Sequence, residues 1–444
     1  MIKPQIQKID QIQDEMIAPQ DPAPISTTTG RSGISEVRIV LTLLWDGPMV
    51  RDVLTAFLVT RLMVLFIILI SSSLVPMNQG LYQFATPNNV MVDGLVRFDS
   101  WWYHNIVTQG YNMGDIATGA QGNVAFFPLY PMLVKVVSAV IGNVYVAGIL
   151  VSNVALLIML FYLYRLALEE FDRETAGRAV FYLAAAPTGV FLSAMYTEST
   201  YLLFVVMTFY YARRSRWFWA GLSGFLASST RNTGILMAGV IGLEGMHQAG
   251  VRFLPPTWAV RELLGHVWRQ VRLTFGAWRS LLAACMVPLG LISYMIYLQL
   301  VHGDALGFIH VQATWGRQVS TSGLMQLLPT TWRDLNIGPN LFAGQFNAIA
   351  LLATLSTLVF LPMLIPLAIK MRPAHVAFVG LTMLIPLTTG TTGSMDRYIL
   401  MLIPSFLMLA HWGRRPWVDR IVVGVSLPML AYSTFLFSHW FFAG

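Results

Sequence analysis

The sequence predicts an all-α, polytopic membrane protein, and its composition carries that prediction. Apolar residues make up 56% of the 444 positions, and the 28 Lys and Arg with the 21 Asp and Glu amount to 11%, where a soluble domain carries about 25% charged residues. The mean hydropathy is +0.62. These values exclude a disordered chain, a basic nucleic-acid-binding domain and an ordinary soluble enzyme. The lone cysteine, Cys285, excludes a disulfide framework and a thiolate metal cluster.

The N-terminal segment is predicted to be a disordered cytoplasmic tail over residues 1–35, and the tail with its approach to the membrane occupies 1–50. It is rich in Gln, Asp, Pro, Ser and Thr and has no apolar core of a signal peptide. Residues 51–444 are expected to form a single transmembrane domain.

Eleven apolar runs are candidates to cross a hydrocarbon core, which needs about 20 helical residues. The runs 217–229 and 232–247 are the weakest span predictions, because they are short. Together they are compatible with one long tilted helix, a two-span hairpin or a re-entrant hairpin. The runs are 52–75, 144–167, 175–195, 198–213, 217–229, 232–247, 280–301, 346–369, 374–390, 397–411 and 418–441.

Positive charge predicts the orientation, because Lys and Arg are retained on the cytoplasmic side. With eleven spans and a cytoplasmic N-terminus, most basic residues fall on one side, and the net charge of +7 is then a topology signal. Merging the weak pair would place the basic segment 247–279 outside, so the hairpin is favoured. The basic residues left outside are Arg97, Lys135, Arg231, Arg317, Arg333 and Arg397.

Two long outer loops, 76–143 and 302–345, are the expected functional segments. The first contains a predicted helix over 99–108, with Asp99, Trp102 and Tyr103 on one face. Its aromatic residues are typical of a helix at the membrane interface. A second interfacial or re-entrant helix is predicted over 127–142.

Two hypotheses remain open for each motif in this loop. Asp99 either caps the helix by accepting from its free amides, or it is an acid used in chemistry. The run Ala-Phe-Phe-Pro-Leu-Tyr-Pro at 125–131 is either the structural entry to a helix or one wall of a groove for an isoprenoid or acyl chain.

Three polar runs lie at predicted outer ends of spans, where an ionisable group costs roughly 2.5–3.5 kcal/mol on insertion scales. They are 196–199, 229–232 and 394–398. Snorkelling helix ends explain such residues, Arg397 above all, but arginine also grips a phosphate with two parallel hydrogen bonds. Arg231 and Arg397 are therefore candidate clamps for a lipid phosphate.

A metal site or a nucleotide site is not expected. His302, Asp304 and His310 could join Asp99 and Glu198 around a divalent ion, but the chain has no DxD and no HxxxH pair. It also has no GxGxxG, P-loop or HExxH motif. No cofactor is predicted.

The outer segments resemble the PIG-V-like mannosyltransferases, which include the eukaryotic enzyme that adds the second mannose in glycosylphosphatidylinositol anchor biosynthesis and many bacterial homologues. The resemblance covers most of residues 90–400. It rests on Arg97-Phe98-Asp99, Tyr103, Gly110-Tyr111, the Phe-Phe-Pro run at 125–131, Tyr196-Thr197-Glu198-Ser199, Arg231-Asn232 and Arg397-Tyr398. The chain departs from the family pattern at Val107, where a small residue is expected, and in its polar tail.

The resemblance implies a GT-C-type helical bundle of about eleven transmembrane helices. It also implies a sugar donor carried on a polyprenyl or dolichyl phosphate, a site facing away from the cytosol, and a catalytic base in the first outer loop, which matches Asp99. The expected reaction inverts the anomeric carbon and transfers a hexose, mannose by the resemblance, to a lipid-linked or glycolipid acceptor without a metal. The expected substrate-binding residues are Arg97, Trp102, Tyr103, His104, Phe127, Tyr130, Glu198, Arg231, Asn232, Gln312, Arg317, Arg397 and Tyr398.

Two other classes remain as alternatives. A polyprenyl-phosphate or lipid transporter would also need many spans and buried arginines, but it predicts symmetry between halves, which the sequence does not display. A structural membrane subunit would use Asp99 and Glu198 as caps or packing pairs. A multi-pass protein of a bacterial plasma membrane is favoured over one of the endoplasmic reticulum, with no nucleic-acid partner.

Overall fold

The computed structural model describes residues 46–78, 85–115, 118–252, 260–315, 323–335, 344 and 347–441, and within these residues the regular structure is helical, with one isolated bridge between Asp115 and Ala120. The predicted tail, 1–35, and Arg317 lie outside the described residues. The α-helices, numbered in chain order, are α1 (Gly47–Leu74), α2 (Val90–Asp93), α3 (Asp99–Gln109), α4 (Leu129–Ile141), α5 (Val144–Glu170), α6 (Arg173–Ala184), α7 (Glu198–Arg213), α8 (Trp217–Thr230), α9 (Leu236–Gln248), α10 (Val260–Gly276), α11 (Trp278–His302), α12 (Gly307–His310), α13 (Gly323–Leu335), α14 (Ala348–Phe360), α15 (Leu364–Lys370), α16 (Pro373–Leu387), α17 (Met395–Ile399), α18 (Ile403–Trp412) and α19 (Pro416–Ser438).

The all-helical, membrane-spanning class is confirmed, whereas the count of eleven crossings stays a prediction. Five segments of the described chain are long and apolar enough to span a membrane. The other predicted runs coincide with shorter helices: α6, α7, α8, α9, α16 and α18 have 10 to 16 residues each. The five long segments are α1, α5, α11, Ala348–Lys370 and α19.

Prolines explain where the observed helices depart from the predicted runs. The run 175–195 was expected to be one span, but α6 ends at Ala184, because Pro187 cannot continue it, and a 3-10 turn at Gly189–Leu192 follows. Pro362 separates α14 from α15 in the same way. In the run 397–411, α18 begins with Pro404 in its first turn, separate from α17.

The helix α7 lies at the centre of the packing, since most of its side chains are buried. It contacts α5 on one side and α8 and α9 on another, while α11 packs on α8 and α9. The helix α1 contacts α6 and α19 and presents Leu58, Leu62 and Phe66 outward with exposed fractions of 50%, 62% and 59%. An outward row of large apolar side chains is the surface expected against lipid.

The segment predicted to be an interfacial or re-entrant helix does form a helix, α4. It packs on α5, exposing Met132, Val136 and Val140 while burying Val134. Gly142 ends α4 at a positive φ of 78°, which a glycine adopts without a side-chain clash. This helix therefore supports the first outer loop from the side.

A buried arginine within α1 ties the first span to the end of α6. Arg61 donates to the carbonyl oxygens of Ala184 at 2.6 Å and Gly189 at 2.9 Å and to the Ser193 hydroxyl at 2.9 Å. The two carbonyl groups belong to the segment where Pro187 ends α6, so they lack the amide donors that a continuing helix would supply. Hydropathy placed 52–75 as an ordinary span and gave no sign of this contact.

We predict that Arg61→Met lowers the free energy of unfolding by about 2–4 kcal/mol, because two or more buried acceptors lose their donors at about 1–3 kcal/mol each. Thermal unfolding in detergent measures the change, and Arg415→Met, at an exposed position, is the control. An unchanged unfolding midpoint in Arg61→Met would show that these bonds contribute nothing.

Candidate active site

Four charged side chains, predicted separately from distant parts of the sequence, meet in one ion cluster, called here the charge cluster: Asp99, Glu198, Arg231 and Arg397. Arg397 Nη2 lies 2.9 Å from Asp99 Oδ2, and its Nε donates to Glu198 Oε1 at 2.6 Å. Arg231 Nη1 donates to the same Glu198 oxygen at 2.8 Å. Two carboxylates and two guanidinium groups thus form one chain of contacts with no net charge.

Side-chain exposure differs along this chain of contacts. Glu198 is sealed at 0%, Arg397 is 10% exposed, and the outer members Arg231 and Asp99 are 17% and 19% exposed. A small molecule approaching the cluster can therefore reach Asp99 and Arg231, whereas Glu198 is accessible only through its arginine partners.

The backbone before Asp99 is held in a strained conformation. Phe98 has a φ of 48°, which for a bulky residue costs on the order of 1–3 kcal/mol and persists only when its surroundings impose it. The Tyr196 hydroxyl donates to the Arg97 carbonyl at 3.1 Å and accepts from the Asp99 amide at 3.2 Å. The Phe98 ring packs against Trp440, with centroids 5.3 Å apart. These contacts fix the direction of the Asp99 side chain.

The cap hypothesis for Asp99 is wrong. Phe98 occupies the capping position of α3 without a side-chain hydrogen bond, and Asp99 is the first helical residue. Its carboxylate reaches Arg397 instead.

Arg397 is placed by the same tyrosine. Its guanidinium carbon lies 4.8 Å from the Tyr196 ring centroid and 5.1 Å from that of Phe191, within the range of cation–π contacts. Ser394, three residues earlier, also has a positive φ of 63°. Because the Arg397 side chain points into the protein, against the Tyr196 and Phe191 rings, the snorkelling hypothesis for it does not hold.

Arg97 does not join the charge cluster, although it precedes Asp99 by two residues. Its guanidinium is fully buried, pairs with Asp93 Oδ2 at 2.7 Å and donates to the Ser438 carbonyl at 3.0 Å. It also lies over the Trp440 ring at 4.9 Å. Arg97 fastens the outer loop to the end of α19 and leaves no side-chain surface for a substrate.

The predicted aromatic wall is largely interior. Tyr130 is 0% exposed and bonds the Gly148 carbonyl and Ser152 hydroxyl, each at 3.0 Å. Phe127 is 3% exposed and packs on Tyr294. Both were expected to bind substrate, but their burial makes them packing residues of the outer segments.

Three residues of α3 that were expected to bind substrate, Tyr103, Trp102 and His104, are buried or half-buried. Tyr103 is buried and donates to the Thr197 hydroxyl at 3.4 Å, and burial followed by the nearby Asp99 raises its pKa well above the usual value, so it stays a neutral phenol. Trp102 is half-buried and stacks on Phe126. His104 stacks on Tyr145 at 4.6 Å, and partial burial lowers its pKa, which keeps the imidazole neutral at pH 7.

Two of the remaining predicted residues, Asn232 and Tyr398, directly follow arginines of the charge cluster, and Gln312 lies in the second outer loop. Asn232 is exposed, and its side chain accepts from the Thr233 amide. Tyr398 and Gln312 are half-buried.

Among the described residues, the second outer loop contains no metal site. Asp304 pairs with His310 at 2.7 Å near the surface, and that hydrogen bond lowers the pKa of Asp304. The described part of the chain has no group of three or more His, Cys, Asp or Glu residues arranged to hold a metal ion.

Tyr196 is the residue that sequence reasoning undervalued. The run Tyr-Thr-Glu-Ser was singled out for Glu198, yet Tyr196 touches both Asp99 and Arg397, and Thr197 accepts from Arg231 Nη1 at 3.3 Å. The signal available in the sequence was the position of a tyrosine two residues before a buried acid.

We predict that Tyr196→Phe loosens the Phe98 turn, because a buried carbonyl and a partly buried amide lose their shared partner, a loss of about 1–3 kcal/mol in local stability. Hydrogen exchange of a peptide spanning 95–103 should quicken. Tyr145→Phe, which keeps the ring that stacks on His104, is the matched control. Equal exchange in the two variants would contradict the assigned role of the hydroxyl.

The mannosyltransferase (PIG-V) family model matches this chain over residues 50–304. A search of curated proteins found no match. Among solved structures, the archaeal oligosaccharyltransferase AglB from Archaeoglobus fulgidus, in complex with an inhibitory peptide and a dolichol-phosphate, is 12% identical with a TM-score of 0.43, over 88% of this chain and 56% of that one. The apo form of the Archaeoglobus fulgidus oligosaccharyltransferase is 13% identical with a TM-score of 0.40, over 88% of this chain and 56% of that one. The chain thus spans little more than half the length of these proteins.

The family match extends over more than half of the chain, and five apolar segments of the described residues are long enough to cross a membrane. The protein belongs to the mannosyltransferase (PIG-V) family and is a multi-pass membrane protein.

Proposed function

We propose that the protein transfers a hexose, mannose in keeping with its family, from a polyprenyl-phosphate donor to a lipid-linked or glycolipid acceptor, with inversion at the anomeric carbon. The observation that carries the proposal is the charge cluster, in which a partly exposed acid contacts an arginine that a buried acid holds in place. An acid and two arginines are the groups that transfer from a phosphate leaving group requires.

Asp99 is assigned as the general base. Its Oδ2 is held by Arg397, and the carboxylate is partly exposed, so an acceptor hydroxyl can approach its other oxygen. The acceptor oxygen forms a bond to the anomeric carbon, the bond from that carbon to the phosphate oxygen breaks, and the acceptor proton passes to Asp99. Attack on the face opposite the leaving group gives inversion.

Arg231 and Arg397 are assigned to the phosphate. The donor phosphodiester carries one negative charge, and the departing monoester carries two. Asp99 gains a proton in the same step, so the total charge of cluster plus phosphate is unchanged. This balance requires no metal ion, and we propose that the reaction is metal-independent.

Glu198 is assigned as a positioning residue rather than a substrate ligand. It is sealed from solvent, and one of its oxygens accepts from both arginines. Without this shared acceptor, two guanidinium groups brought this close would repel each other. Its place at the first turn of α7, where the helix dipole favours an anion, adds to its stability as a carboxylate.

Basic residues favour a site on the non-cytoplasmic side. Glu198 begins α7, and Arg213 at its far end pairs with Glu170 at the end of α5. Arg173 and Arg414 belong to that same far end, because Arg414 contacts Asp172. By the positive-inside rule the far end is cytoplasmic, so the charge cluster faces outward, with a cytoplasmic N-terminus. A bacterial plasma membrane remains the favoured location.

We predict that Asp99→Asn reduces transfer by about 10²–10⁴-fold, the usual contribution of a positioned base, while folding and membrane insertion persist. The measurement is transfer of label from a radiolabelled mannosyl polyprenyl phosphate to total membrane lipid in EDTA, by purified wild type and variant. Asp304→Asn, in the outer Asp304–His310 pair, is the matched control. Unchanged turnover in Asp99→Asn would remove the base assignment, and release of no label by the wild type would favour a transporter.

We predict that Glu198→Gln lowers kcat/KM for the donor by about 10–100-fold, since a charged hydrogen bond contributes about 1.5–3 kcal/mol. The loss should appear mainly in KM for the polyprenyl phosphate, with partial rescue by Glu198→Asp. Glu244→Gln is the matched control, because Glu244 is also buried and pairs with an arginine, Arg372. Equal losses of kcat/KM in both Gln variants would show that Glu198 only stabilises the fold.

A further inference from the structure

The helix α10 exposes large apolar side chains along one side. Trp268 and Phe275 are 74% and 73% exposed, and Val267 and Val271 are exposed as well. Because these residues recur at intervals of three and four positions, they form one row on the helix surface. A contiguous exposed apolar row of this kind marks a surface that another molecule or a membrane covers.

Arginines occupy other sides of the same helix. Arg269 and Arg272 are exposed, and neither forms an ion pair with a described residue. At about 100° per residue, Arg272 lies at the flank of the apolar row and Arg269 lies roughly opposite it. Between residues 252 and 279 the sequence has five arginines and one acidic residue. The positive charge of this segment is therefore both accessible and unbalanced.

The side of α10 that meets the rest of the protein is polar. Gln270 Oε1 accepts from the Arg252 amide at 2.8 Å, and His266 Nε2 lies 3.1 Å from the Arg252 carbonyl oxygen. His266 and Gln270 are one turn apart, so they share a side of the helix. These contacts hold α10 with its apolar row turned away from the segment that it touches.

The position of α10 is at the end of the molecule opposite the charge cluster. The helix α9 ends beside the far end of α7, since Gln248 Nε2 donates to the Ala212 carbonyl at 3.0 Å, and Arg252, which contacts α10, follows four residues later. Glu198, in the charge cluster, begins α7. The positive-inside rule assigned this far end to the cytoplasm, and the arginines of α10 agree with that assignment.

The apolar row of α10 is followed along the chain by a surface that faces lipid. The helix α11, which is long and apolar enough to span a membrane, begins at Trp278, directly after a break at Ala277. Trp278, Leu282 and Leu289 are exposed along its outer row. Tryptophan is enriched at the level of the headgroups, and Phe275 precedes Trp278 by three residues. The bilayer that covers the outer row of α11 therefore ends close to α10.

We propose that α10 lies in the membrane interface and binds anionic phospholipids there. Trp268, Val271 and Phe275 enter the boundary of the acyl chains, and Arg272 and Arg279 reach the headgroup phosphates. An apolar aromatic face beside an arginine-rich face is the pattern of a helix that lies in the interface plane, and arginine grips a phosphate with two parallel hydrogen bonds.

A lipid surface accounts for more of these observations than a soluble partner does. An acidic soluble protein would match the arginines, but it would not account for an apolar row that adjoins the start of a membrane span. The inference is independent of the transfer reaction, because α10 and the charge cluster lie at opposite ends of α7.

Fluorescence quenching of the full chain in nanodiscs tests the placement of α10. A fluorophore is attached to a cysteine introduced by Phe275→Cys or by Arg269→Cys, and Cys285→Ser removes the exposed native cysteine. We expect phospholipid with a doxyl group on its acyl chain to quench the label at 275, and acrylamide, which stays in water, to quench the label at 269. Equal acrylamide quenching of both labels, without doxyl quenching at 275, would overturn the placement. Quenching of the 275 label by neither agent would also overturn it and would indicate that protein covers the row.

The preference for anionic lipid is measured with doxyl-phosphatidylglycerol and doxyl-phosphatidylcholine at equal mole fraction. We expect phosphatidylglycerol to associate about fivefold more strongly for each arginine that reaches the phosphates. Arg272→Gln/Arg279→Gln should lose this preference while doxyl quenching at 275 persists. Arg415→Gln/Arg420→Gln, at exposed positions around the start of α19, is the matched control.

Equal quenching by the two lipids in the protein that retains these arginines would overturn the anionic assignment. That comparison needs no arginine variant, so it decides the matter even if Arg272→Gln/Arg279→Gln fails to fold. An unchanged preference in the folded double variant would also overturn the assignment, and the unfolding midpoint confirms that the variant is folded.

Discussion

One carboxylate oxygen, Glu198 Oε1, receives hydrogen bonds from two arginines, and the arrangement of the whole candidate site depends on it. Arg231 follows α8, and Arg397 lies in α17. Their hydrogen bonds to Glu198 therefore join segments that are far apart in the sequence at the first residue of α7, a helix with most of its side chains buried. Asp99 enters the same network through Arg397. A buried ion pair is not by itself strong evidence of stability, because desolvation offsets much of its attraction. Its effect here is to fix where two positive charges lie.

The backbone contributes as much as the charges do. Phe98 adopts a positive φ immediately before Asp99, and Ser394 does so three residues before Arg397. Tyr196 contacts both Asp99 and Arg397. Strain at two positions around a shared tyrosine means that Asp99 and Arg397 are held in place before any substrate arrives. Pre-organised charge of this kind is what transfer from a phosphate needs, since no reorganisation is then required during the reaction.

The sequence predicted the helical class and the position of most helices, because hydropathy and aromatic patterns are local. The predicted helices over 99–108 and after Pro128 are both present. Local patterns could not predict the partner of Arg97, since Asp93 lies four residues before it and Asp99 two residues after it, and only the fold decides between them. They also gave no sign of the Arg61 hydrogen bonds, because one charged residue changes the mean hydropathy of an apolar segment only slightly.

The residues of the charge cluster were each singled out in the sequence, but their contacts were not predictable, because they join segments that are distant along the chain. The prediction treated Glu198 as a substrate ligand, and its sealed position supports a positioning role instead. The central claim is that Arg231 and Arg397 bind the donor phosphate. A cryo-EM structure with bound polyprenyl phosphate tests it most directly. The account predicts phosphate oxygens about 2.7–3.2 Å from both guanidinium groups, with Glu198 still between them. A phosphate bound elsewhere, with the Asp99–Arg397 and Glu198 contacts unchanged, would contradict it.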